Sequence, residues 1–386
     1  MSVQKVSPDN LWLSAKICLH IFQYKAIKII LKILSLSIII LTCIQTFLYL
    51  KRFDSAYFMK YLPVYAGSLF ILASIFCIEH ISHVILSTVE EFEFWDYADS
   101  KPEIRNWIKW EALYINTFMV VDAFVAYLSG IFHAIPLDED YEIFYPLPIF
   151  QEFFPDWTNV LGWLYRSSFL IVPVVMTAPS LMIIYFTSRL RFQMFLFMDI
   201  LENISEGYDI SEANDLIENS TYQKEIKERL KTCIKRHNEF LSAGGQVMKN
   251  GQLFILIMSA AGVILGVSII FFLFSFEGSF EKRYPRLVTL VISTGLTFTH
   301  VIIAGQLVEN IATRLYEILH FMDWHSWNQE NRKILLIFMH NAQQELQIKF
   351  LDEVAVNYQL GISIGKAVYS MISVLSSFKN LEESYN

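Results

Sequence analysis

The sequence predicts an all-α membrane protein with seven transmembrane helices, and two observations lead to this fold class. The chain of 386 residues is 54% hydrophobic and only 18% charged, with a mean hydropathy of +0.40, whereas soluble domains are about 45–50% apolar and about 25% charged. Seven segments approach the roughly 20 apolar residues that a bilayer crossing requires. They are residues 29–50, 62–88, 113–135, 164–187, 252–276, 287–313 and 355–378, of which the last is the least apolar.

The first of these segments is expected to remain in the protein as a membrane helix. The apolar run from Ile33 to Leu50 begins after five lysines, and no small-residue cleavage site follows it, so it does not resemble a signal peptide. Lys28 and Lys32 stand near its start, where their long side chains can reach the headgroups.

The distribution of basic residues predicts the orientation of the chain in the membrane. With a cytoplasmic N-terminus, 21 Lys and Arg lie in the inner segments and 8 in the outer ones. An odd number of spans then places the C-terminus outside. The sequons at Asn203 and Asn219 fall in an inner loop and are expected to stay unmodified, so a glycan on either would overturn this orientation.

Helical periodicity continues into two inner segments. Between Asp209 and Asn250, apolar and charged residues alternate at helical spacing, which predicts that the fifth span extends into the cytoplasm. The apolar members of this pattern are Ile226, Leu230, Ile234 and Phe240. From Asn331 to Leu346 a short helix is predicted, too polar to cross the membrane, with Ile334, Leu335, Phe338, Ala342 and Leu346 on one face.

Several function classes are disfavoured by the composition and the motifs. The formal charge of −8 argues against a nucleic-acid surface, and the sequence has no P-loop, dinucleotide fingerprint, nucleophile elbow or HExxH motif, so we expect no enzyme and no cofactor. The segment Glu79-His80-x-x-His83 imitates a metal site but has no obvious third ligand. We interpret it as interfacial histidines that pair with loop acids, and we expect no bound metal.

Asp122 is an ionisable residue inside the third span, where such groups are costly and face a cavity or a partner. Two roles are open for it: binding a polar group of a ligand, or bracing a neighbouring helix. Aromatic residues in the spans ordinarily face lipid or fill helix contacts. The alternative is that those in the outer thirds line a pocket for a small apolar ligand; they include Tyr65, Phe124, Tyr127, Phe169 and Phe298.

The outer loop from Ile135 to Tyr165 is acidic and contains no basic residue. Two interpretations are open: the loop concentrates cations near a pore mouth, or it is simply a solvated surface. Its acids are Asp138, Glu139, Asp140, Glu142, Glu152 and Asp156.

The seventh span has one helix face of small residues, Ser363, Ala367, Ser370, Val374 and Ser377. Such a face is typical of a tight packing seam between helices. The alternative is a water-lined pore, in which a ring of Val374 side chains would close the passage by dewetting. Periodicity alone does not decide between these two interpretations.

Motifs in residues 300–380 resemble those of the insect odorant receptor family. Gly305-Gln306 and Glu309 followed by Ala312, Leu315-Tyr316 and Asp323-Trp324 are similar to the family's sixth-span signature, and Arg332-Lys333 with Leu336 and Ala342-Gln343 resemble its anchor helix. Lys366 through Leu375 is similar to the last span, although Met371 and Ile372 stand where the family often has an aromatic pair. The ending typical of gustatory receptors is missing.

The resemblance implies an odorant receptor subunit of a ligand-gated, non-selective cation channel in the plasma membrane of a sensory dendrite. Four subunits, including a shared co-receptor, would surround one pore without a G protein, and a small volatile ligand would bind among spans two to six. Alternatives are a gustatory-type homotetrameric channel or a multi-pass transporter, although no repeated half supports the latter.

The resemblance also implies site residues and a division of the chain. Residues 1–313 would hold spans one to six with the ligand pocket, and 314–386 the anchor helix and the pore helix. The predicted ligand-binding residues are Tyr65, Ser68, Leu72, Met119, Asp122, Ala123, Tyr127, Phe169, Pro173, Thr294 and Phe298. The predicted pore and gate residues are Val374, Ser377, Ser370 and Phe378, and the subunit anchor residues are Trp324, Lys333, Leu336, Gln343 and Gln347.

Overall fold

The computed structural model describes residues 19–51, 55–208, 213–275, 284–343, 347–350 and 354–385. Two short strands, β1 (Lys349–Phe350) and β2 (Val354–Ala355), pair antiparallel. The α-helices are α1 (Lys25–Lys51), α2 (Ser55–Glu91), α3 (Pro102–Ala134), α4 (Asp140–Ile143), α5 (Pro146–Phe153), α6 (Thr158–Ser168), α7 (Val172–Glu202), α8 (Ala213–Glu218), α9 (Ser220–Ser275), α10 (Tyr284–His320), α11 (Gln329–Ala342) and α12 (Tyr358–Tyr385).

The described helices agree with the predicted membrane fold. Five stretches are long and apolar enough to cross a membrane: α1, Lys60–Glu91, α3, Pro155–Glu202 and α10. A sixth is α9, if its segments Ser220–Phe254 and Leu256–Ile270, which meet at 43°, count as one span. The seventh predicted span is the helix α12. The all-α fold class is confirmed, while the orientation and the division at residue 313 stay predictions.

The start of the fourth span differs from the prediction. The sequence places it at residue 164, but α7 begins at Val172. Three consecutive backbone turns at residues 169–171 separate it from α6, beginning with the Phe169 N–H that donates to the Arg166 carbonyl at 3.1 Å. Pro173 follows in the first turn of α7, where its missing N–H costs no hydrogen bond. Residues 158–168 are therefore a helix of their own.

The main core lies where α2, α7, α9 and α10 pack together. Helix α9 runs antiparallel to α2: the Cys77 thiol donates to the Phe254 carbonyl at 3.4 Å, and the Phe92 and Phe240 rings lie 5.5 Å apart further along. The predicted helical extension of the fifth span is confirmed, because α9 begins at Ser220 and buries Leu230.

The predicted short helix is also confirmed as α11. It ends at Ala342, and it buries Leu335, Phe338 and Ala342 as the periodicity indicates. Leu346 lies outside the described residues.

Candidate functional site

The residues predicted to bind a ligand lie on α2, α3 and α10 and near the start of α7. Those on α3 differ in exposure: Met119 and Asp122 are buried, whereas Tyr127 is 42% exposed. On α10, Thr294 and Phe298 are exposed. The remaining residues are half-buried: Tyr65, Ser68, Leu72, Ala123, Phe169 and Pro173.

Asp122 connects two of the predicted pocket helices. Its side chain is completely enclosed. The hydroxyl of Thr297 on α10 donates to one carboxylate oxygen at 2.8 Å, and the hydroxyl of Ser293 lies 3.5 Å from the other. A buried carboxylate without such partners would be strongly destabilising. In this structure Asp122 therefore braces α3 against α10, which is one of the two roles left open by the sequence.

Two predicted aromatic residues face local clusters. The Tyr65 hydroxyl lies 3.1 Å from that of Thr46 on α1, so this side chain points toward the first span. Phe169 packs among the rings of Phe144 and Tyr165, each with a centroid distance of 5.2 Å. Their packing is explained by these neighbours, and a role in ligand binding stays a prediction.

A half-open apolar cavity of about 360 Å³ lies between α2 and α9, and its wall residues Phe76 and Ile264 are 47% and 49% exposed. Among the predicted ligand residues, Leu72 lines it. The other lining residues, which the sequence analysis did not single out, are Leu69, Ala73, Phe76, Ile257, Ala261 and Ile264. Small side chains at Ala73 and Ala261 leave this space open, and small residues at a helix crossing are the sequence signal that could have indicated it.

Three charged residues form a buried clasp on the side of the molecule that is predicted to be the outer one. Asp140 is fully buried, and its carboxylate accepts a hydrogen bond from Arg286 at 2.6 Å, with Arg166 at 3.4 Å. Arg286, in the first turn of α10, also donates to the carbonyl oxygens of Phe132 and Ile135 at the end of α3. The clasp thus joins α3, α10 and the outer loop. Because Asp140 is neutralised internally, it cannot attract cations to a pore mouth.

The family-like signature of α10 forms the attachment point of α12. A Cβ atom added at Gly305 would lie 1.9 Å from the carbonyl oxygen of Val356, so only glycine permits α10 and the segment before α12 to approach this closely. Gln306 accepts from the backbone N–H of Tyr358 at 3.0 Å. Glu309 accepts from the side-chain amide of Asn357 at 3.1 Å.

Asn357 caps the first turn of α12, because its side-chain oxygen accepts from the Leu360 N–H at 3.2 Å. The same side chain therefore holds the helix start and the Glu309 carboxylate. The sequence analysis did not single out Asn357. An Asn directly before a long apolar pattern is a helix-start signal that could have identified it.

Beyond its first turns, α12 is exposed within the described part of the single chain. Val374 is 51% exposed, and Ser370 and Ser377 are exposed as well. The Ser377 hydroxyl donates to the Ser373 carbonyl at 2.9 Å within the helix. The side chain of Phe378 lies outside the described residues. The predicted pore face is thus uncovered by the rest of the described chain.

On the side that is predicted to be cytoplasmic, a buried polar network joins α9 to residues 326–331, and we call this region the cytoplasmic layer. The Trp327 indole donates to the Tyr222 hydroxyl at 3.1 Å, and that hydroxyl lies 2.9 Å from the hydroxyl of Ser326. The side-chain oxygen of Gln223 accepts from the Asn328 N–H and the Asn331 amide at 2.8 and 2.9 Å. This network fixes the start of α11 within one chain.

The residues predicted to anchor neighbouring subunits surround this network at the surface of the chain. Leu336 is 64% and Trp324 38% exposed. Lys333 and Gln343 are exposed too, and Gln347 is half-buried. Ile337 is 62% exposed beside Leu336 and extends the same apolar surface. An uncovered apolar surface of this kind is typical of a contact with another protein chain.

Comparisons with known proteins agree with this architecture. The family model described as 7tm Odorant receptor matches residues 56–369. The structure of olfactory receptor OR5 from Machilis hrabei in complex with eugenol is similar to the chain, with a TM-score of 0.68 at 11% identity, covering 94% of this chain and 97% of that one. Another structure of OR5 from Machilis hrabei has a TM-score of 0.68 at 11% identity, covering 97% of this chain and 93% of that one. No curated protein matches the chain.

Proposed function

The chain belongs to the 7tm odorant receptor family, and from this premise we propose that it is the ligand-binding subunit of an odorant-gated, non-selective cation channel. It is a receptor rather than an enzyme. It assembles with co-receptor subunits into a heterotetramer in the plasma membrane of a sensory dendrite, with cations passing through a shared central pore and without a G protein.

The observation that supports a channel best is the state of α12. Its face of small residues with Val374 is uncovered in a single chain, although an unaccompanied lipid-facing helix has no need of a serine stripe. Four such helices around an axis would place hydroxyls along a water path and a valine ring at its constriction. A narrow apolar ring closes a pore by dewetting, and its widening admits hydrated ions.

The ligand is proposed to be a small volatile organic molecule bound among α2, α3, α7, α9 and α10. The related OR5 receptor was solved with eugenol, a small aromatic compound. The apolar cavity beside Leu72 offers an apolar surface to a small organic ligand. A ligand can open the pore only to the extent that it binds the open form better than the closed form.

Helix α10 offers a direct mechanical connection between ligand and gate. The predicted ligand residues Thr294 and Phe298 lie on this helix, followed after two turns by Gly305 and Glu309, which hold the start of α12. A small displacement of α10 would therefore reach the pore helix through the Glu309–Asn357 hydrogen bond. The exposed Trp324 and Leu336 surface would hold the neighbouring subunit in place.

Whole-cell current under a panel of odorants tests this function, in cells that express the chain with and without an insect olfactory co-receptor. We expect an odorant-evoked cation current only when both are present. Current from the chain alone would instead indicate a self-sufficient gustatory-type channel. Saturable substrate uptake without current, at confirmed surface expression, would indicate a transporter.

A further inference from the structure

The outer loop between α3 and α7 carries an apolar surface that no other part of the described chain covers. Trp157, Trp163 and Leu164 are 62%, 61% and 62% exposed. We call this surface the aromatic face; its members are Phe153, Phe154, Trp157, Val160, Trp163 and Leu164. Soluble surfaces rarely expose contiguous apolar patches of this kind, so the face indicates contact with a membrane or a protein.

The aromatic face points away from the bundle because the opposite side of α6 is packed against it. Val160, Trp163 and Leu164 share one side because they are three and four residues apart. The other side buries Gly162 and Arg166, and Arg166 pairs with the buried Asp140 at 3.4 Å. Since the only arginine of α6 is turned inward to an ion pair, the outward side carries the apolar residues together with the uncharged Asn159 and Ser167.

The aromatic face continues the apolar surface of a membrane helix. Leu170, Ile171 and Val174, where the chain enters α7, are 37%, 40% and 39% exposed. The stretch Pro155–Glu202, to which α6 and α7 belong, contains a segment apolar enough to cross a bilayer. A protein partner would not need this continuity, whereas a lipid surface requires it. Tryptophan is also the residue type enriched at the membrane–water interface.

We infer that α6 lies in the membrane interface and that its aromatic face is embedded among the lipids of the adjoining leaflet, which is the outer one in the predicted orientation. The loop is then held from two sides, by the Asp140–Arg286 clasp toward the bundle and by lipid on its outer side. The inference does not depend on channel activity.

Photocrosslinking of the full-length chain, expressed in cells together with a co-receptor, tests this placement. Trp163 is replaced by p-benzoylphenylalanine, which preserves an aromatic side chain. Replacement of the exposed Glu142 in the same loop is the matched control. After irradiation, mass spectrometry of the purified chain identifies the adducts. We expect phospholipid adducts at position 163 at a yield at least five times that at position 142.

Equal yields at the two positions, absence of lipid adducts at position 163, or a crosslink mainly to the co-receptor or another protein would each overturn the inference. Trp163→Asp and Trp163→Phe provide a second measurement. We expect Asp to raise the half-maximal odorant concentration about tenfold and Phe to change it less than twofold. Since the crosslink needs no current, failure of the channel proposal would remain distinguishable from failure of the lipid contact.

Discussion

The part of α9 in the cytoplasmic layer and the helix α12 are both amphipathic, but the apolar side chains of the first are buried and those of the second are exposed. The first buries Tyr222 and Leu230 completely against residues of its own chain, including Trp327. The second leaves Val374 half exposed. The cytoplasmic layer and the clasp are therefore packed by residues of one chain, whereas α12 would be covered by other subunits in the channel that we propose. Substitutions in the cytoplasmic layer or in the clasp should therefore lower the stability of the single chain, whereas substitutions on α12 should alter the current instead.

The largest expected effect is that of Asp140→Asn in the outer clasp. The change removes the buried negative charge between Arg286 and Arg166, and breaking a buried pair from one side costs about 3–5 kcal/mol. Thermal unfolding of the purified chain in detergent, followed by fluorescence-detected size exclusion, measures the loss. The exposed Asp138→Asn is the control and should leave the unfolding temperature unchanged. Equal curves for both variants would show that the clasp does not stabilise the fold.

A smaller loss is expected for Gly305→Ala at the attachment of α12. The added Cβ would lie 1.9 Å from the Val356 carbonyl oxygen, and overpacking of this kind costs about 1–3 kcal/mol. Gly295→Ala on the same helix meets no atom within 4 Å and should be neutral or slightly stabilising. Odorant-evoked current at matched surface expression should fall for Gly305→Ala only. Normal currents in both variants would contradict the role assigned to this junction.

Tyr222→Phe tests the cytoplasmic network. Without the hydroxyl, the buried Trp327 indole N–H loses its acceptor, and an unsatisfied buried donor costs about 1–3 kcal/mol. The matched change Tyr316→Phe removes a hydroxyl that accepts one exposed hydrogen bond from Gln343 at 3.3 Å and should cost less than about 0.5 kcal/mol. Chemical denaturation in detergent compares the two. If Tyr222→Phe lowered the free energy of unfolding no more than Tyr316→Phe does, the network would not contribute to the stability of the fold.

The smallest effect on stability is expected for Val374→Ala. Its side chain has few partners in the single chain, so the unfolding temperature should not change. In the assembled channel, a smaller side chain widens the constriction, and we expect basal leak to rise at least twofold or the odorant requirement to fall. Patch-clamp recording without odorant measures the leak. If Val374→Ala lowered the unfolding temperature and left the current unaltered, α12 would act in stability like the cytoplasmic layer, and the comparison would be contradicted.

The local features of this molecule could be predicted from its sequence, because apolar length and helical period are properties of neighbouring residues. The face of α11 with Leu335 and Phe338 is one example. Gly305 could be recognised because it matches the sixth-span signature of the family. The reason for a glycine at this position could not be predicted, since Val356 approaches Gly305 only in the folded chain. Asp140 was grouped with exposed loop acids because its partner Arg286 is 146 residues away.

The ligand site shows the same limit. The cavity beside Leu72 depends on how α2 crosses α9, and Ile257 and Ile264 look like ordinary membrane-facing residues in the sequence. Asp122 was identified as unusual from its residue type alone. Whether it faced a ligand or the hydroxyls of α10 depended on Ser293 and Thr297, whose register against α3 no local pattern encodes.

The placement of α12 around a pore is tested most directly by Val374→Cys, expressed with the co-receptor and exposed to a charged, membrane-impermeant thiol reagent. Ile372→Cys, on the opposite side of α12, serves as the control. If Val374 lines the water path, the reagent blocks the current irreversibly for Val374→Cys in the presence of odorant and leaves Ile372→Cys unaffected. Insensitivity of Val374→Cys during odorant-evoked current, with confirmed surface expression, would contradict a pore lined by this face.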